Sequence, residues 1–142
     1  MTKRILCILV IIFLFSRPSF SQKDLGLLKE DYFKDHRYDE FVVYLKDLRK
    51  RRSFSDAQLS YYIALTRYNQ LKYLEENQNW DAYFKYGNLY RDELVKEAKK
   101  AIDSTSFKDK INLYAHTLLW QFYKTQQIPQ EIELKKALQE AC

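Results

Sequence analysis

The amino-acid sequence predicts an all-α protein, and three observations carry that prediction. Only two glycines and two prolines interrupt 142 residues. Apolar residues recur at intervals of three and four, which is the period of a helix and not of a strand. The breaks between apolar stretches are short and polar, so neighbouring helices must fold back on each other as antiparallel hairpins. We therefore expect about six helices, stacked as three hairpins in an alpha-solenoid.

The N-terminal residues have the pattern of a secretory signal peptide. Two cationic residues precede an apolar run over residues 5–15, and small residues stand one and three places before a cleavage point after Ser21. The alternative is an uncleaved membrane anchor, but a spanning helix needs about 20 apolar residues and Arg17 ends this run too early. We expect residues 1–21 to be removed and a helical domain over residues 22–142 to be exported, to the periplasm or the extracellular space.

Removal of this leader changes the charge of the protein. Three of the 24 basic residues lie in residues 1–21 and all 19 acidic residues follow them, so the net charge falls from +5 to +2. A nucleic-acid binder needs a strong positive field, because contacts to phosphate supply most of its affinity. We therefore expect no nucleic-acid partner.

The two cysteines predict no disulfide within the mature chain. Cys7 lies in the leader and Cys142 is the last residue. The helical pattern that begins at Pro129 reaches Cys142 without a glycine or asparagine cap. This pattern predicts that the chain is a fragment or a truncated reading frame.

The first three helices follow from their apolar faces and their start signals. Two helices are predicted over residues 24–35 and 38–50. The third begins after Ser55, because Ser55 and Gln58 have the spacing of a capping box. Its inward face is formed by Tyr61, Ala64, Leu65, Tyr68 and Leu71.

The later helices are predicted in the same way. Asn77 or Asn79 caps the fourth helix, Ser106 caps the fifth, and Pro129 opens a sixth. The inward face of the fourth helix is formed by Trp80, Phe84, Gly87, Tyr90, Leu94, Ala98 and Ile102. A glycine inside a helix costs about 1 kcal/mol relative to alanine. We interpret Gly87 as the mark of a close helix crossing.

The first predicted hairpin follows a repeat pattern. Tyr32 supplies a mid-helix aromatic, and residues 38–40 open the next helix. Its other apolar positions are Leu25, Leu28, Leu45 and Leu48. This hairpin resembles the tetratricopeptide repeat, although Phe41 stands where that family prefers alanine and Lys29 where it has glycine. The resemblance implies a protein-binding scaffold without a cofactor or catalytic residues.

The densest basic cluster lies at the end of the second predicted helix. It consists of Lys46, Arg49, Lys50, Arg51 and Arg52. One interpretation is a docking patch for anionic lipid or polymer of the envelope, with peripheral membrane contact. The other is that cations in a last helical turn interact with exposed carbonyls, while Asp47 and Asp56 weaken the local field.

Tyrosine is the commonest aromatic residue, with 12 copies. Most of these rings keep helical spacing with aliphatic neighbours, which indicates packing in the core. Four of them fall away from the apolar stripes, and we expect them to be exposed and available for binding. They are Tyr62, Tyr73, Tyr83 and Tyr86.

The sequence contains no arrangement typical of an enzyme or a metal site. His36 and His116 are two helices apart, without paired histidines or a nucleophile motif. Two carboxylate pairs have spacings that would allow glycosidase chemistry, and we interpret them as solvated charges or helix-stabilising pairs. These pairs are Glu75 with Glu76 and Glu93 with Glu97.

The sequence therefore predicts an exported scaffold that binds another protein of the cell envelope through the concave surface of its stacked hairpins. The first alternative is a binder of anionic lipid or polymer through the basic cluster. The second is a small helical hydrolase of wall material. No pattern in the chain indicates an oligomeric state.

Overall fold

A computed structural model of the chain describes residues 22–126, which form five α-helices and no strand. The helices are α1 (Gln22–Lys34), α2 (Tyr38–Arg51), α3 (Asp56–Glu76), α4 (Trp80–Asp103) and α5 (Lys110–Thr125). The prediction of an all-α protein is confirmed. The predicted signal peptide and the sixth helix lie outside the described residues. Within residues 22–126, no helix is both long and apolar enough to cross a bilayer.

Contacts divide the chain into two units, residues 1–31 and 32–142. The described part of the first unit is the N-terminal portion of α1, where Lys29 and Glu30 form an ion pair at 2.8 Å. The second unit begins at Tyr32 and contains the end of α1 and all of α2–α5. Every feature discussed below belongs to the second unit.

Helices α3, α4 and α5 each run antiparallel to the helix before them. Helix α3 contacts α2, α4 and α5, and α4 also contacts α5. Side-chain contacts show these directions, because residues near the end of one helix contact residues near the start of the next, and residues near its start contact residues near the end of the next. These contacts are Arg49–Ser60 and Asp39–Arg67 for α2 and α3, Lys100–Asp56 and Arg67–Glu93 for α3 and α4, and Asn112–Ile102 and Arg91–Gln126 for α4 and the α5 region.

The main hydrophobic core lies between α3, α4 and α5. It contains Ala64, Leu71, Tyr83, Tyr90, Leu94, Ala98, Leu118, Leu119 and Phe122. Because these residues recur at intervals of three, four or seven, each helix carries one apolar stripe. The three stripes pack against one another and are buried. Packing in this core therefore sets the orientation of the other faces of α3 and α5, which carry a groove and an exposed apolar surface.

The N-termini of α3 and α4 follow the sequence signals. The Ser55 hydroxyl accepts a hydrogen bond from the Gln58 backbone N–H at 3.2 Å, as predicted. Asn79, and not Asn77, caps α4 through a bond from the Ala82 N–H at 3.3 Å. Both caps satisfy a backbone donor that has no partner inside its own helix.

The prediction that Ser106 caps the fifth helix is wrong. Asp109 is the N-cap of α5, and its Oδ1 accepts a hydrogen bond from the Ile111 N–H at 2.8 Å. The Ser106 carbonyl instead accepts a bond from the Asp109 N–H at 2.9 Å. This bond closes a turn, so the N-cap lies three residues after the serine.

The interpretation of Gly87 as a close helix crossing is also wrong. A methyl group on Gly87 would lie 3.6 Å from Tyr83 Cδ1 and 3.7 Å from both Leu71 Cδ2 and an Arg91 nitrogen. These separations are ordinary van der Waals contacts. The position has room for a methyl group, and its backbone does not require glycine.

Candidate functional site

Two residues of the basic cluster, Lys46 and Arg49, reach across to carboxylates of α4. The Lys46 ammonium group forms an ion pair with Glu93. Arg49 binds Glu97 with both terminal nitrogens, at 3.0 Å for Nη1 to Oε1 and 2.7 Å for Nη2 to Oε2. These cations join helices, and their charge is compensated within the protein.

The other three residues of the basic cluster lie at the surface. Arg51 pairs with Asp47 one turn earlier, at 2.8 Å. Lys50 and Arg52 are exposed, and neither has an acidic partner among the described residues. Only these two cations of the cluster are left for an anionic ligand.

Arg49 is the centre of a first group of ion pairs. Its Nη2 also donates to the Ser60 hydroxyl at 2.8 Å. Its Nε lies 2.8 Å from Asp56 Oδ1, close enough for an ion pair but not aligned for a hydrogen bond. The second oxygen of Asp56 is 2.8 Å from the Lys100 ammonium group. Arg49 of α2 thus contacts Ser60 and Asp56 of α3 and Glu97 of α4.

The pKa values of this first group favour its charged forms. The pKa of Asp56 is lowered chiefly by the hydrogen bond from Lys100. Burial opposes ionisation of Glu97, but hydrogen bonds from Arg49 and Ser60 outweigh it, so the pKa of Glu97 is lowered. The pKa of Arg49 is raised, chiefly by its hydrogen bond with Glu97.

Arg67 is the centre of a second group. Its side chain is only 8% exposed. Its Nε donates to Glu93 Oε2 at 2.6 Å, and its Nη1 donates to Asp39 Oδ1 at 2.5 Å and to Gln70 Oε1 at 2.6 Å. Gln70 in turn donates to the other oxygen of Asp39 at 3.1 Å. Lys46 completes the group through Glu93.

The second group is also charged and balanced. Burial opposes ionisation of Glu93, but hydrogen bonds from Lys46 and Arg67 outweigh it and lower its pKa. The Arg67 guanidinium carbon lies 4.6 Å from the centre of the Tyr90 ring, a cation–π contact. We call the two groups together the ion-pair network. Its members are Asp39, Lys46, Arg49, Asp56, Arg67, Glu93, Glu97 and Lys100.

The interpretation of Glu93 and Glu97 as solvated charges or as helix-stabilising pairs is wrong, because both carboxylates bind cations from neighbouring helices. A signal for this was present in the sequence. Tyr90, Leu94 and Ala98 form the inward stripe of α4, and Glu93 and Glu97 are adjacent to it. A carboxylate on the margin of an apolar stripe indicates a buried partner of opposite charge.

The expectation that Tyr83 is exposed is wrong as well. Its side chain is 1% exposed, because it lies on the inward stripe between Trp80 and Gly87. Its ring centre is 5.6 Å from that of Trp80, and burial raises the pKa of Tyr83. Of the other predicted tyrosines, Tyr86 is exposed, whereas Tyr62 and Tyr73 are half-buried.

Two adjoining hollows lie beside α5. The smaller is a cavity of about 290 Å³, lined by Tyr68, Leu71, Lys72, Glu75, Glu76, Tyr83, Phe122, Thr125 and Gln126. The larger, which we call the α3–α5 groove, has a volume of about 560 Å³ and is lined by Tyr68, Lys72, Glu75, Trp120, Gln121, Lys124 and Thr125. Burial, followed by the nearby Glu76 charge, raises the pKa of Glu75. Aromatic rings and a few polar groups therefore line a concave surface.

Helix α5 also exposes large apolar side chains next to this groove. We call these side chains the α5 face, and they are Leu113, Tyr114, Trp120 and Tyr123. Each is between 47% and 62% exposed. Leu113 and Trp120 are seven residues apart, so they lie on the same side of the helix. The Lys124 ammonium group is 4.9 Å from the Trp120 ring.

A separate groove runs along α2. We call it the acidic tyrosine groove, and it is lined by Tyr32, Asp39, Glu40, Val43, Tyr44 and Asp47, with a volume of about 550 Å³. Among the described residues that line it, none is basic. No pattern within one helix predicts this groove, because its tyrosines come from two helices.

The two histidines do not meet. The His36 ring stacks on Tyr73 with centres 4.1 Å apart, and His116 is exposed on α5. Within residues 22–126, no group of three or more histidine, cysteine, aspartate or glutamate residues is placed to hold a metal ion.

Comparison of the chain with protein-family models, with curated proteins and with solved structures finds no match. The geometry of these surfaces is therefore the basis for the function proposed below.

Proposed function

We propose that this protein is an exported, non-enzymatic helical scaffold that binds another protein of the cell envelope. The observation that carries this proposal is the α5 face, with four large apolar side chains exposed on one helix. Large apolar side chains in contact with water are unfavourable, and on soluble proteins exposed apolar surface commonly marks an interaction site.

The α3–α5 groove adds a shape to this apolar surface. Trp120 belongs to both, so a partner that covers the α5 face also reaches the groove. An amphipathic helix bound in a groove would bury these side chains with its own apolar stripe. The partner is thus expected to present apolar residues, and the interaction is expected to depend little on salt.

The arrangement of the helices is part of the same proposal. We propose that α2–α5 belong to a stack of hairpins of the tetratricopeptide type, continued by a sixth helix. The antiparallel order of α2–α5 supports this arrangement. Export after cleavage near Ser21 remains a prediction from the sequence.

The charge distribution favours this proposal over binding of anionic lipid or polymer. Lys46, Arg49 and Arg51 are already paired with carboxylates. Lys50 and Arg52 remain, and two exposed cations give weak attraction to an anionic surface.

Affinity capture with paired variants tests the proposal. The mature form that starts at Gln22 is used to capture partners from an envelope fraction, at low salt and at about 1 M salt, where the Debye length is about 3 Å. The variant Leu113→Asp/Trp120→Asp is expected to lose the captured protein at both salt concentrations. The control Lys50→Gln/Arg52→Gln is expected to keep it.

We expect both variants to fold, because the substituted side chains are all exposed. Circular dichroism checks this. Loss of the partner in the control variant, or its loss from the unmodified protein at high salt, would support binding through the basic cluster and contradict the proposal.

A further inference from the structure

We propose that the acidic tyrosine groove binds a basic segment of a polypeptide, with a lysine or arginine side chain over its tyrosine rings. This site shares no residue with the α5 face or the α3–α5 groove. The inference therefore goes beyond the proposed function and does not depend on it.

The aromatic part of the groove is held in place by stacking. The ring centre of Phe41, which is buried, lies 4.9 Å from that of Tyr32 and 6.4 Å from that of Tyr44. The Tyr32 and Tyr44 rings are 6.3 Å apart and inclined by only 26°. Two half-buried rings in fixed positions form a surface on which a cation is attracted to the π electrons.

The remaining lining fits the two parts of a basic side chain. Val43 is 67% exposed and provides apolar surface for an aliphatic stem. Asp39, Glu40 and Asp47 provide carboxylates. Each also pairs with one arginine outside the lining, namely Arg67, Arg37 and Arg51. The pairs of Glu40 and Asp47 are exposed, so a cationic ligand can compete for them. Residues 39 and 47 are separated by about 12 Å along the helix axis. Two cations of one peptide can therefore pair with different carboxylates of the groove. The complementarity is to positive charge.

Asp39 is fixed by its contacts below the groove. Arg67 and Gln70 each donate to one of its oxygens, so the carboxylate keeps one orientation. Its side chain is nevertheless largely exposed to solvent. A rigid charge at the surface loses little freedom when a ligand binds.

A cation of the chain itself already makes the contact that we propose for the ligand. The Arg37 guanidinium carbon lies 4.6 Å from the centre of the Tyr32 ring. Its nitrogens lie 3.4 Å from Glu40 and 3.5 Å from Asp35. These exposed pairs are long, and such pairs contribute little to stability. An incoming cation can therefore replace Arg37 or bind beside it against Tyr44.

Fluorescence anisotropy with a labelled peptide of alternating lysine and alanine tests this site. The matched peptide has glutamine in place of lysine. We expect the full chain to bind the lysine peptide and not the glutamine peptide. Glu40→Gln/Asp47→Asn is expected to weaken binding about tenfold, because each change removes a charge from the groove. Tyr44→Leu is expected to weaken it several-fold, which a purely ionic site would not show.

The control is Asp92→Asn/Asp103→Asn, which removes two exposed carboxylates from α4 and leaves the groove intact. It is expected to bind as the unmodified chain does. Equal weakening by the control, no effect of Tyr44→Leu, or equal binding of the glutamine peptide would each overturn the proposal. The peptide needs no residue of the α5 face, so Leu113→Asp/Trp120→Asp should bind it normally. Failure of one proposal is thereby distinguished from failure of the other.

Discussion

Arg67 shows how a strongly charged side chain is accommodated inside this protein. Its guanidinium group meets a carboxylate from α2 and another from α4, and its flat face lies against Tyr90. Burial of an arginine is tolerable only when its donors are satisfied by charged partners. The fork of donors in arginine suits several acceptors at once, which lysine would not match.

The substitution Arg67→Met is expected to destabilise the protein strongly, because it leaves Glu93 with one cation and Asp39 with none. Removing one partner of a buried pair costs about 3 kcal/mol or more. The control Arg51→Met breaks an exposed pair with Asp47 and is expected to cost no more than about 0.5 kcal/mol. Urea denaturation measures both, and equal losses would contradict a special role for Arg67.

The role of Arg67 could not be predicted from its neighbours in sequence. It lies between the apolar residues of α3, but its partners Asp39 and Glu93 are 28 and 26 residues away. Patterns within one helix identify which face is buried. They do not identify which charges meet across helices, and for this reason Glu93 and Glu97 were interpreted as solvated.

Three residues other than glycine adopt the left-handed backbone conformation after the ends of helices. His36, Arg52 and Gln78 have positive φ values of 55°, 53° and 54°. They follow the ends of α1, α2 and α3, a place usually taken by glycine or asparagine. The starts of α1–α4 were nevertheless predictable to within about two residues, because the apolar faces and the caps indicate them independently, whereas the cap of α5 lies three residues after the predicted one.

The stability of two variants tests which residue caps α5. Asp109→Ala removes the acceptor for the Ile111 N–H and is expected to lower the free energy of unfolding by about 1 kcal/mol. Ser106→Ala is expected to have an effect near zero, because only the carbonyl of Ser106 makes a structural bond. Thermal unfolding monitored by circular dichroism compares them. A larger loss for Ser106→Ala would place the start of the helix at the serine.

Asp109 could not be predicted as the cap, because residues 103–106 already contain a run of capping residues. Local composition cannot choose among several possible caps. The choice is made by the turn that orients α5 for packing of Leu118, Leu119 and Phe122 against α4.

At the scale of the whole molecule, the ion-pair network links α2, α3 and α4 and makes their packing depend on pH. The pKa values of Asp56, Glu93 and Glu97 are lowered in the folded protein from ordinary values of 3.8, 4.5 and 4.5. Groups with a lowered folded pKa stabilise the protein above those values, and this contribution is lost as the pH falls through them. Glu75, whose pKa is raised, acts in the opposite direction.

We therefore expect the free energy of unfolding to be nearly constant from about pH 7 to about pH 5.5 and to fall steeply below about pH 4.5. Urea denaturation across this range measures it. The variant Glu97→Gln should be less stable at neutral pH and should show a shallower fall in acid, because one linked proton is removed. The same steepness in the variant and the unmodified protein would contradict this assignment.

The α5 face is an apolar surface that the core of residues 22–126 leaves uncovered, and we propose that it binds the partner protein. Site-specific photo-crosslinking in living cells tests it most directly, with the photoreactive residue at position 120 and, as a control, at the exposed position 99 of α4. We expect a discrete adduct with another envelope protein from position 120 and none from position 99. No adduct from position 120, or the same adduct from both positions, would contradict it.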